Sequence, residues 1–409
     1  MMEKPLQETE VLMARQPIFD RQLSVVAYEL LYRSGSSGGA AFLDGDEATS
    51  DVILNAYTGA GADVLARNLP VFVNFTHRIL VEHRIPKLLR SRVVIEVLED
   101  TEIDTPLIVA LSRLKTEGFR LALDDFVFQD KYLPLLDIVD IIKLDVLQLS
   151  SEELVENIKL LQPYSVSLLA EKVESQDKLF ECMDLGCKLF QGYFLQKPTL
   201  VAGKKVGSDV AAVLQLIAEL NNPEITPAEV ETLIVRDSTL TYKILRILNS
   251  AEFTLVKKIV SIREAVCLLG QDQLLKWASL IALCSNSEKP PELTLQLLAR
   301  GRMCELLAES IEVTNANSYF LVGLLSGIHA VLDIEKEQLL ELLSLGQEVK
   351  QAISSMEGEM GLTLKSVLAY EQGEWDALSE IQSNVDAFPR AYQESISWAQ
   401  DALKSLDRC

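Results

Sequence analysis

Polar or charged residues stand where strand-like apolar runs end in the first half of the chain. One such residue is expected wherever a loop begins, so the argument depends on the joint pattern. Carboxylate and amide oxygens are the ligands that hard divalent cations prefer, and such cations bind phosphate groups. If these residues meet, the chemistry predicted is a hard-metal site for a phosphate ligand. They are Glu29, Asn74, Glu96, Asp124, Lys143 and Glu171, with Gln191 closing a shorter run.

The spacing of these residues predicts the elements that position them. From Asn74 onward they lie roughly 20–28 residues apart, about one strand plus one helix of a parallel α/β unit. In a closed (β/α) barrel, the carboxyl ends of successive strands converge on one mouth. The fold class predicted for this half is therefore an α/β, TIM-like barrel. Its helices are expected at Glu47–Gly59, Pro106–Glu117, Glu152–Leu161 and Gln176–Leu185.

Composition narrows the class of protein. The chain has 409 residues, which favours two domains, and 48% of them are hydrophobic, enough for sizeable cores. A net charge of −22 argues against a broad nucleic-acid or anionic-membrane surface. The six cysteines include no CxxC pair and there are only three histidines, which favours reduced thiols over zinc chemistry. No apolar run reaches the length of a membrane span, and we expect a cytoplasmic protein.

The pattern changes from alternating strands and helices to helices alone in the second half. Val201–Lys205 has the composition of a linker, and Thr226-Pro227-Ala228-Glu229 has the N-cap, proline and glutamate of a helix start. We therefore predict a barrel domain over residues 1–204 and an all-helical domain over residues 205–409.

The first half resembles an EAL domain, the barrel that linearises cyclic di-GMP, over nearly all of residues 11–200. Seven motifs occur in the order of that family. They are Glu29-Leu30-Leu31-Tyr32-Arg33 for Glu-Ala-Leu-x-Arg, Asn74, Glu96-Val97-Leu98-Glu99, Asp124-Asp125-Phe126, Lys143, Ala170-Glu171-Lys172-Val173-Glu174 and Gln191-Gly192-Tyr193.

The resemblance implies a role for each residue at the mouth. Lys143 and Glu171 would orient or activate the attacking water. Asp125 would help to hold a second ion. Arg33 and Gln191 would take part in ligand binding, and Gln191 would do so by supporting the site. The ligands implied for a first Mg²⁺ or Mn²⁺ ion are Glu29, Asn74, Glu96 and Asp124.

Two positions depart from the EAL pattern. The family continues Phe-Gly-Thr-Gly after its paired aspartates, a loop that couples metal binding to dimerisation, whereas this chain reads Phe126-Val127-Phe128-Gln129. Glycine reaches backbone conformations that valine and phenylalanine resist. Asp124 and Asp125 would point to opposite faces of a regular strand, so a shared site requires a bend there. Lys172 replaces another family glycine. A homodimer is expected from the resemblance alone.

The second half resembles an HDOD domain over residues 208–285. HDOD domains recruit signalling partners, so a protein partner is expected. Related HD hydrolases carry a His-Asp pair where this chain has Ser326-Gly327, and we expect no hydrolysis here and a structural role for His329. Asn249 and Ser250 could form either a capping turn or a functional site. The motifs are Ile234–Thr241, Leu245–Ala251 and Ser261–Gly270.

Two hypotheses for the whole chain remain open at this point. In the first, a degenerate barrel with retained metal ligands binds cyclic di-GMP as a regulatory module coupled to the helical domain. In the second, the barrel is an active, metal-dependent phosphodiesterase that produces pGpG. The altered loop after Asp125 favours the first hypothesis, and the complete ligand set favours the second.

Overall fold

The computed structural model describes residues 11–34, 69–193, 225–236, 261–270 and 290–407, except for a few isolated positions, and also residues 241, 244, 245 and 259. Several expectations lie outside the described residues: the helix Glu47–Gly59, the linker Val201–Lys205, the domain boundary at 204, and Asn249 with Ser250. The side chain of Arg33 also lies outside them, although its backbone is described.

The first half forms a closed barrel of eight strands in sequence order, which confirms the predicted fold class. Each consecutive pair of strands from β2 to β8 is parallel, whereas β1 is antiparallel to both β2 and β8. The strand-plus-helix spacing of the parallel units does not predict the antiparallel first strand. The strands are β1 (Val11–Phe19), β2 (Val25–Ser34), β3 (Val71–Phe75), β4 (Val93–Val97), β5 (Arg120–Leu123), β6 (Ile141–Asp145), β7 (Ser167–Glu171) and β8 (Leu189–Phe190).

Short-range capping explains where the barrel helices begin. Asp104 accepts a hydrogen bond from the backbone of Leu107, and Ser150 with Glu153 forms a capping box. The three described helices that were predicted start and end within one residue of the expected positions. The barrel helices are α1 (His77–Glu82), α2 (Thr105–Thr116), α3 (Leu133–Leu136), α4 (Ser151–Leu161) and α5 (Gln176–Asp184), and Lys87–Ser91 forms a 3₁₀ turn.

One apolar layer fills the barrel interior. Its members come from seven different strands and are buried against one another, with Leu189 of β8 packed beside them. Branched and aromatic side chains dominate the layer, as expected for a barrel that is packed rather than hollow. The layer consists of Ile18, Ala27, Phe72, Val94, Ala122, Ile141 and Leu169.

The described part of the second half is entirely helical, and none of its helices is long and apolar enough to cross a membrane. A turn at Ser326 and Gly327 separates two of these helices. The helices are α6 (Pro227–Arg236), α7 (Ile262–Leu269), α8 (Pro291–Ser310), α9 (Ala316–Leu325), α10 (Ile328–Leu332), α11 (Lys336–Leu342), α12 (Gln347–Ser354), α13 (Gly358–Gln372), α14 (Trp375–Ile381) and α15 (Ala387–Asp407).

The chain divides into two compact units. The first contains Met1–Leu195 together with Tyr370–Ser379 and Ser383–Pro389, and the second contains the remaining residues. Within the first unit, the Tyr370 hydroxyl donates to the carbonyl of Met13 at 3.0 Å and accepts from its N–H at 3.2 Å. A segment from near the end of the chain is thereby anchored to β1.

Candidate active site at the barrel mouth

Strand register places the predicted site residues in one ring. Side chains two positions apart on a strand share a face. In β2 to β8, each site residue therefore lies one pleat beyond the apolar interior: Glu29 follows Ala27, and Glu171 follows Leu169. Neighbouring strands are paired in register, as Asn74 with Glu96 shows. The ring is completed by Asp124, Lys143 and Gln191, each two residues after Ala122, Ile141 and Leu189.

Lys143 lies at the centre of this ring. Its ammonium nitrogen is 2.7 Å from both Glu96 Oε1 and Asp124 Oδ1, 2.8 Å from Glu171 Oε1 and 3.4 Å from Glu29 Oε1. The side chain of Lys143 is 1% exposed and that of Glu96 is fully buried. Four carboxylates from four strands therefore converge on one point, as the sequence predicts.

The electrostatics of the cluster reflect an excess of acid over base. Burial, opposed by the charge of Lys143 and reinforced by neighbouring acids, raises the pKa of Glu171 to about 8 and that of Glu96 well above its usual range. Burial acts against the Lys143 ammonium, but the surrounding carboxylates prevail and raise its pKa well above the usual value. One ammonium cannot neutralise four carboxylates, three of which are buried, so a further cation would stabilise the cluster.

The donor set fits a hard divalent cation. Both carboxylate oxygens of Glu96 are buried; Oε1 lies 2.7 Å from the Lys143 ammonium, whereas no described residue donates a hydrogen bond to Oε2. Buried acceptors normally have a partner, and a metal ion would provide one. Oxygens of Asp124, Asp125 and Glu171 also lie within 4.8 Å of one another. Among the described residues, these three carboxylates lie near enough to share an ion, while Glu29 and Glu96 converge on Lys143 and Asn74 lies at the same end of β3.

Asp125 joins the mouth because the backbone bends there without glycine. Its φ is +37°, in the left-handed region that aspartate enters more readily than most residues. The expectation that the missing glycines hinder the bend does not apply at this residue. Beyond it, Phe126 is buried with its ring 5.0 Å from that of Tyr132, and the Phe128 N–H donates to Asn157 at 2.7 Å. The loop is thus held by packing and a side-chain hydrogen bond.

Sequence reasoning missed Gln16. Gln191 Nε2 donates to Glu29 Oε2 at 2.6 Å and to Gln16 Oε1 at 2.8 Å. Gln16 Nε2 in turn lies 3.4 Å from the carbonyl of Gln372, in the segment anchored to β1. Because β1 is antiparallel, Gln16 precedes rather than follows its apolar layer residue, Ile18. Reading β1 in reverse would have identified it.

Asp145 and Lys172 were also not assigned to the site. Asp145 ends β6 and is paired in register with Glu171. The Lys172 ammonium lies 2.5 Å from Asp145 Oδ2 and 3.7 Å from Asp125 Oδ1. Partial burial opposes the charge on Lys172, but the hydrogen bond to Asp145 and the charge of Asp125 prevail and raise its pKa.

Comparison with known proteins agrees with both halves of this architecture. The EAL domain model matches residues 2–198 and the HDOD domain model matches residues 208–380. YuxH of Bacillus subtilis is 34% identical over 407 residues, covering 96% of this chain and 99% of that protein. The cyclic di-GMP phosphodiesterase CdgJ of Vibrio cholerae is 31% identical over 410 residues, covering 98% and 95%.

Among solved structures, the Klebsiella pneumoniae BlrP1 complex with calcium and cyclic di-GMP is 24% identical, with a TM-score of 0.38. The similarity covers 47% of this chain and 57% of that one. The two domain matches occur in one chain, in this order, and the match to both curated relatives extends over nearly its full length. The chain therefore belongs to the EAL–HDOD family of two-domain proteins.

Proposed function

We propose that the barrel mouth binds cyclic di-GMP together with a divalent cation and acts as the regulatory module of a signalling protein. The observation that carries this proposal is the convergence of four carboxylates, three of them buried, on Lys143 at the end of a closed barrel. Membership of the EAL family and the similarity to CdgJ support cyclic di-GMP as the ligand.

The residues of the mouth have separate tasks in this proposal. Glu29, Asn74, Glu96 and Asp124 would hold one Mg²⁺ or Mn²⁺ ion, which supplies positive charge to a phosphodiester oxygen. The Lys143 ammonium offsets the negative charge of the carboxylates that the divalent ion does not neutralise. Gln191 orients Glu29 through its 2.6 Å hydrogen bond. Arg33 is proposed to contact the nucleotide.

The surroundings of Asp125 support binding rather than turnover. Asp125 shares the Lys172 ammonium with Asp145, so a second metal ion would have to compete for its carboxylate. In the following loop, Val127 and Gln129 stand where the family has glycine, and the Phe128 N–H donates to Asn157 at 2.7 Å. Both features depart from the EAL pattern beside the carboxylate that would serve a second ion, and they favour binding over hydrolysis.

The helical domain supports a role without hydrolysis. Ser326 is buried, donates to the carbonyl of Gly323 at 2.7 Å and accepts from the Arg300 guanidinium at 3.2 Å. A Cβ on Gly327 would lie 2.4 Å from Leu297 Cδ2, so this turn is closely packed. Burial, aided by nearby cationic groups, lowers the pKa of His329, which suits a neutral structural imidazole. We propose that this domain recruits a protein partner.

Calorimetric titration tests the proposed ligand. The full chain is titrated with cyclic di-GMP in the presence of Mn²⁺, and in EDTA as a reference. Binding is expected with Mn²⁺ and is expected to be lost in Glu96→Gln, whereas Glu102→Gln, which changes an exposed glutamate, should bind normally. Equal binding by wild type and Glu96→Gln would contradict the proposal.

Hydrolysis to pGpG is the second candidate function. It is favoured by Glu171, whose carboxylate lies 2.8 Å from Lys143 and whose pKa of about 8 would let it exchange a proton near neutral pH. The test is chromatography after incubation with cyclic di-GMP and Mn²⁺. Formation of pGpG by wild type and by Glu102→Gln, but not by Glu171→Gln, would replace the binding role with an enzymatic one.

A further inference from the structure

We propose that the Lys172 ammonium takes the place of a second cation, so that the barrel mouth binds a single divalent ion. The inference rests on the metal site of the proposed function and specifies its stoichiometry. The two oxygens that Lys172 contacts belong to Asp125 and Asp145, and Asp125 is the residue whose carboxylate would otherwise serve a second ion.

The position of the ammonium is set by Asp145. That side chain is 4% exposed, and its Oδ1 accepts hydrogen bonds from the N–H groups of Leu147 at 2.8 Å and Gln148 at 3.1 Å. The carboxylate therefore cannot rotate freely, and its Oδ2 presents a fixed partner to Lys172 at 2.5 Å. Although the Lys172 side chain is 48% exposed, this ion pair positions its ammonium beside Asp145.

The backbone also directs Lys172 toward the mouth. Its φ is +54°, a conformation that costs free energy for any residue except glycine. The next residue is secured, because the Val173 N–H donates to the carbonyl of Gln191 at 3.0 Å and Gly192 lies directly against the Val173 backbone. Lys172 therefore occupies a conformation for which glycine is better suited, while its charge meets two carboxylates.

A second divalent ion is disfavoured for two reasons. Oxygens of Asp124, Asp125 and Glu171 lie within 4.8 Å of one another, so an ion shared by them would sit close to the ammonium and be repelled by it. The ammonium also already compensates part of the charge on Asp125. The Lys172 ammonium affects the first ion less, because two of the ligands proposed for that ion, Glu29 and Glu96, form ion pairs with Lys143 and not with Lys172.

The test measures how many Mn²⁺ ions the full chain binds, by equilibrium dialysis, with electron paramagnetic resonance to distinguish single ions from closely coupled pairs. Wild type is expected to bind one ion with the spectrum of an isolated centre. Lys172→Gly, which suits the positive φ, is expected to bind two ions and to show a coupled pair. Lys172→Gln removes the charge and leaves a polar side chain one atom shorter. If the glycine variant fails to fold, this second variant should show the same change from one bound ion to two.

The matched control is Lys188→Gln, which removes an exposed lysine of the same barrel and should leave one bound ion. Two ions in wild type would overturn the inference and leave the proposed function intact. One bound ion in both Lys172 variants would likewise overturn the inference and leave the proposed function intact. No bound ion in wild type would overturn the proposed metal site, and the inference with it.

Discussion

Replacing Lys143 by methionine removes the one cation that lies at the centre of the ring. Methionine has a similar length and no charge, so the change leaves four carboxylates, three of them buried, without their shared partner while largely preserving volume. Three of these carboxylates have an oxygen 2.7–2.8 Å from the lost ammonium. We expect the metal-free barrel to be strongly destabilised.

The expected magnitude follows from the burial of the pair partners. Removing one member of a buried ion pair typically costs about 3–5 kcal/mol, because the other member remains charged and desolvated. Protonation of the acids limits this cost, so it should be smaller near pH 5 than near pH 8. A divalent ion should restore part of the loss: at a concentration 100 times its Kd, it contributes about 2.7 kcal/mol.

The measurement is urea unfolding followed by a signal from the barrel, in EDTA and in Mn²⁺, at both pH values. Lys188→Met is the control, since an exposed substitution of this kind changes the free energy of unfolding by about 0.5 kcal/mol or less. A Lys143→Met variant that unfolds within about 1 kcal/mol of wild type in EDTA at pH 8 would refute the electrostatic reasoning.

Three further predictions follow from the same site. Burial raises the pKa of Glu171 to about 8 from an ordinary value of 4.5, so between these pH values the metal-free folded state holds a proton that the unfolded chain has lost. The stability of the folded state should therefore fall as pH rises through this range. Unfolding at a fixed urea concentration checks this prediction, and a rising stability would contradict it. Gln16→Ala should weaken Mn²⁺ binding by roughly 3- to 10-fold in calorimetry, since it removes one hydrogen bond that orients Gln191, and exposed Gln22→Ala should not. Gly192→Ala should lower Tm more than Gly186→Ala. Both glycines have positive φ, but only at Gly192 would the added Cβ lie 2.3 Å from the Val173 carbonyl oxygen. Equal shifts in Tm would count against a steric cause.

Much of the fold could be predicted because the barrel repeats one local pattern. Branched apolar runs that end in a polar residue mark each parallel strand, and the period of two places Glu96 and Val94 on the same face. The antiparallel strand β1 breaks that pattern, and for this reason Gln16 was not found. The turn at Ser326 and Gly327 lies against Arg300 and Leu297, residues distant in sequence that a local pattern does not reveal.

The conformation of Asp125 shows a limit of motif reasoning. The loss of neighbouring glycines predicts difficulty in bending the chain, yet Asp125 itself adopts the positive φ. Propensity describes what a residue does most often, whereas contacts with the rest of the barrel select the conformation it takes. The Phe126 N–H bonds to the carbonyl of Lys143 at 2.9 Å, a contact that spans two strands and has no local signature.

The order and type of residues in this chain were sufficient to predict a barrel with acids at one mouth followed by a helical half, and to propose which residues would hold a hard cation. Chemical identity and strand periodicity are local properties, so they can be read directly from the order of amino acids. Only the folded barrel decided which charges meet: Lys143 among four acids, and Lys172 between Asp125 and Asp145. Those distances depend on strand register and closure of the sheet, which bring together groups more than a hundred residues apart in the case of Glu29 and Lys143.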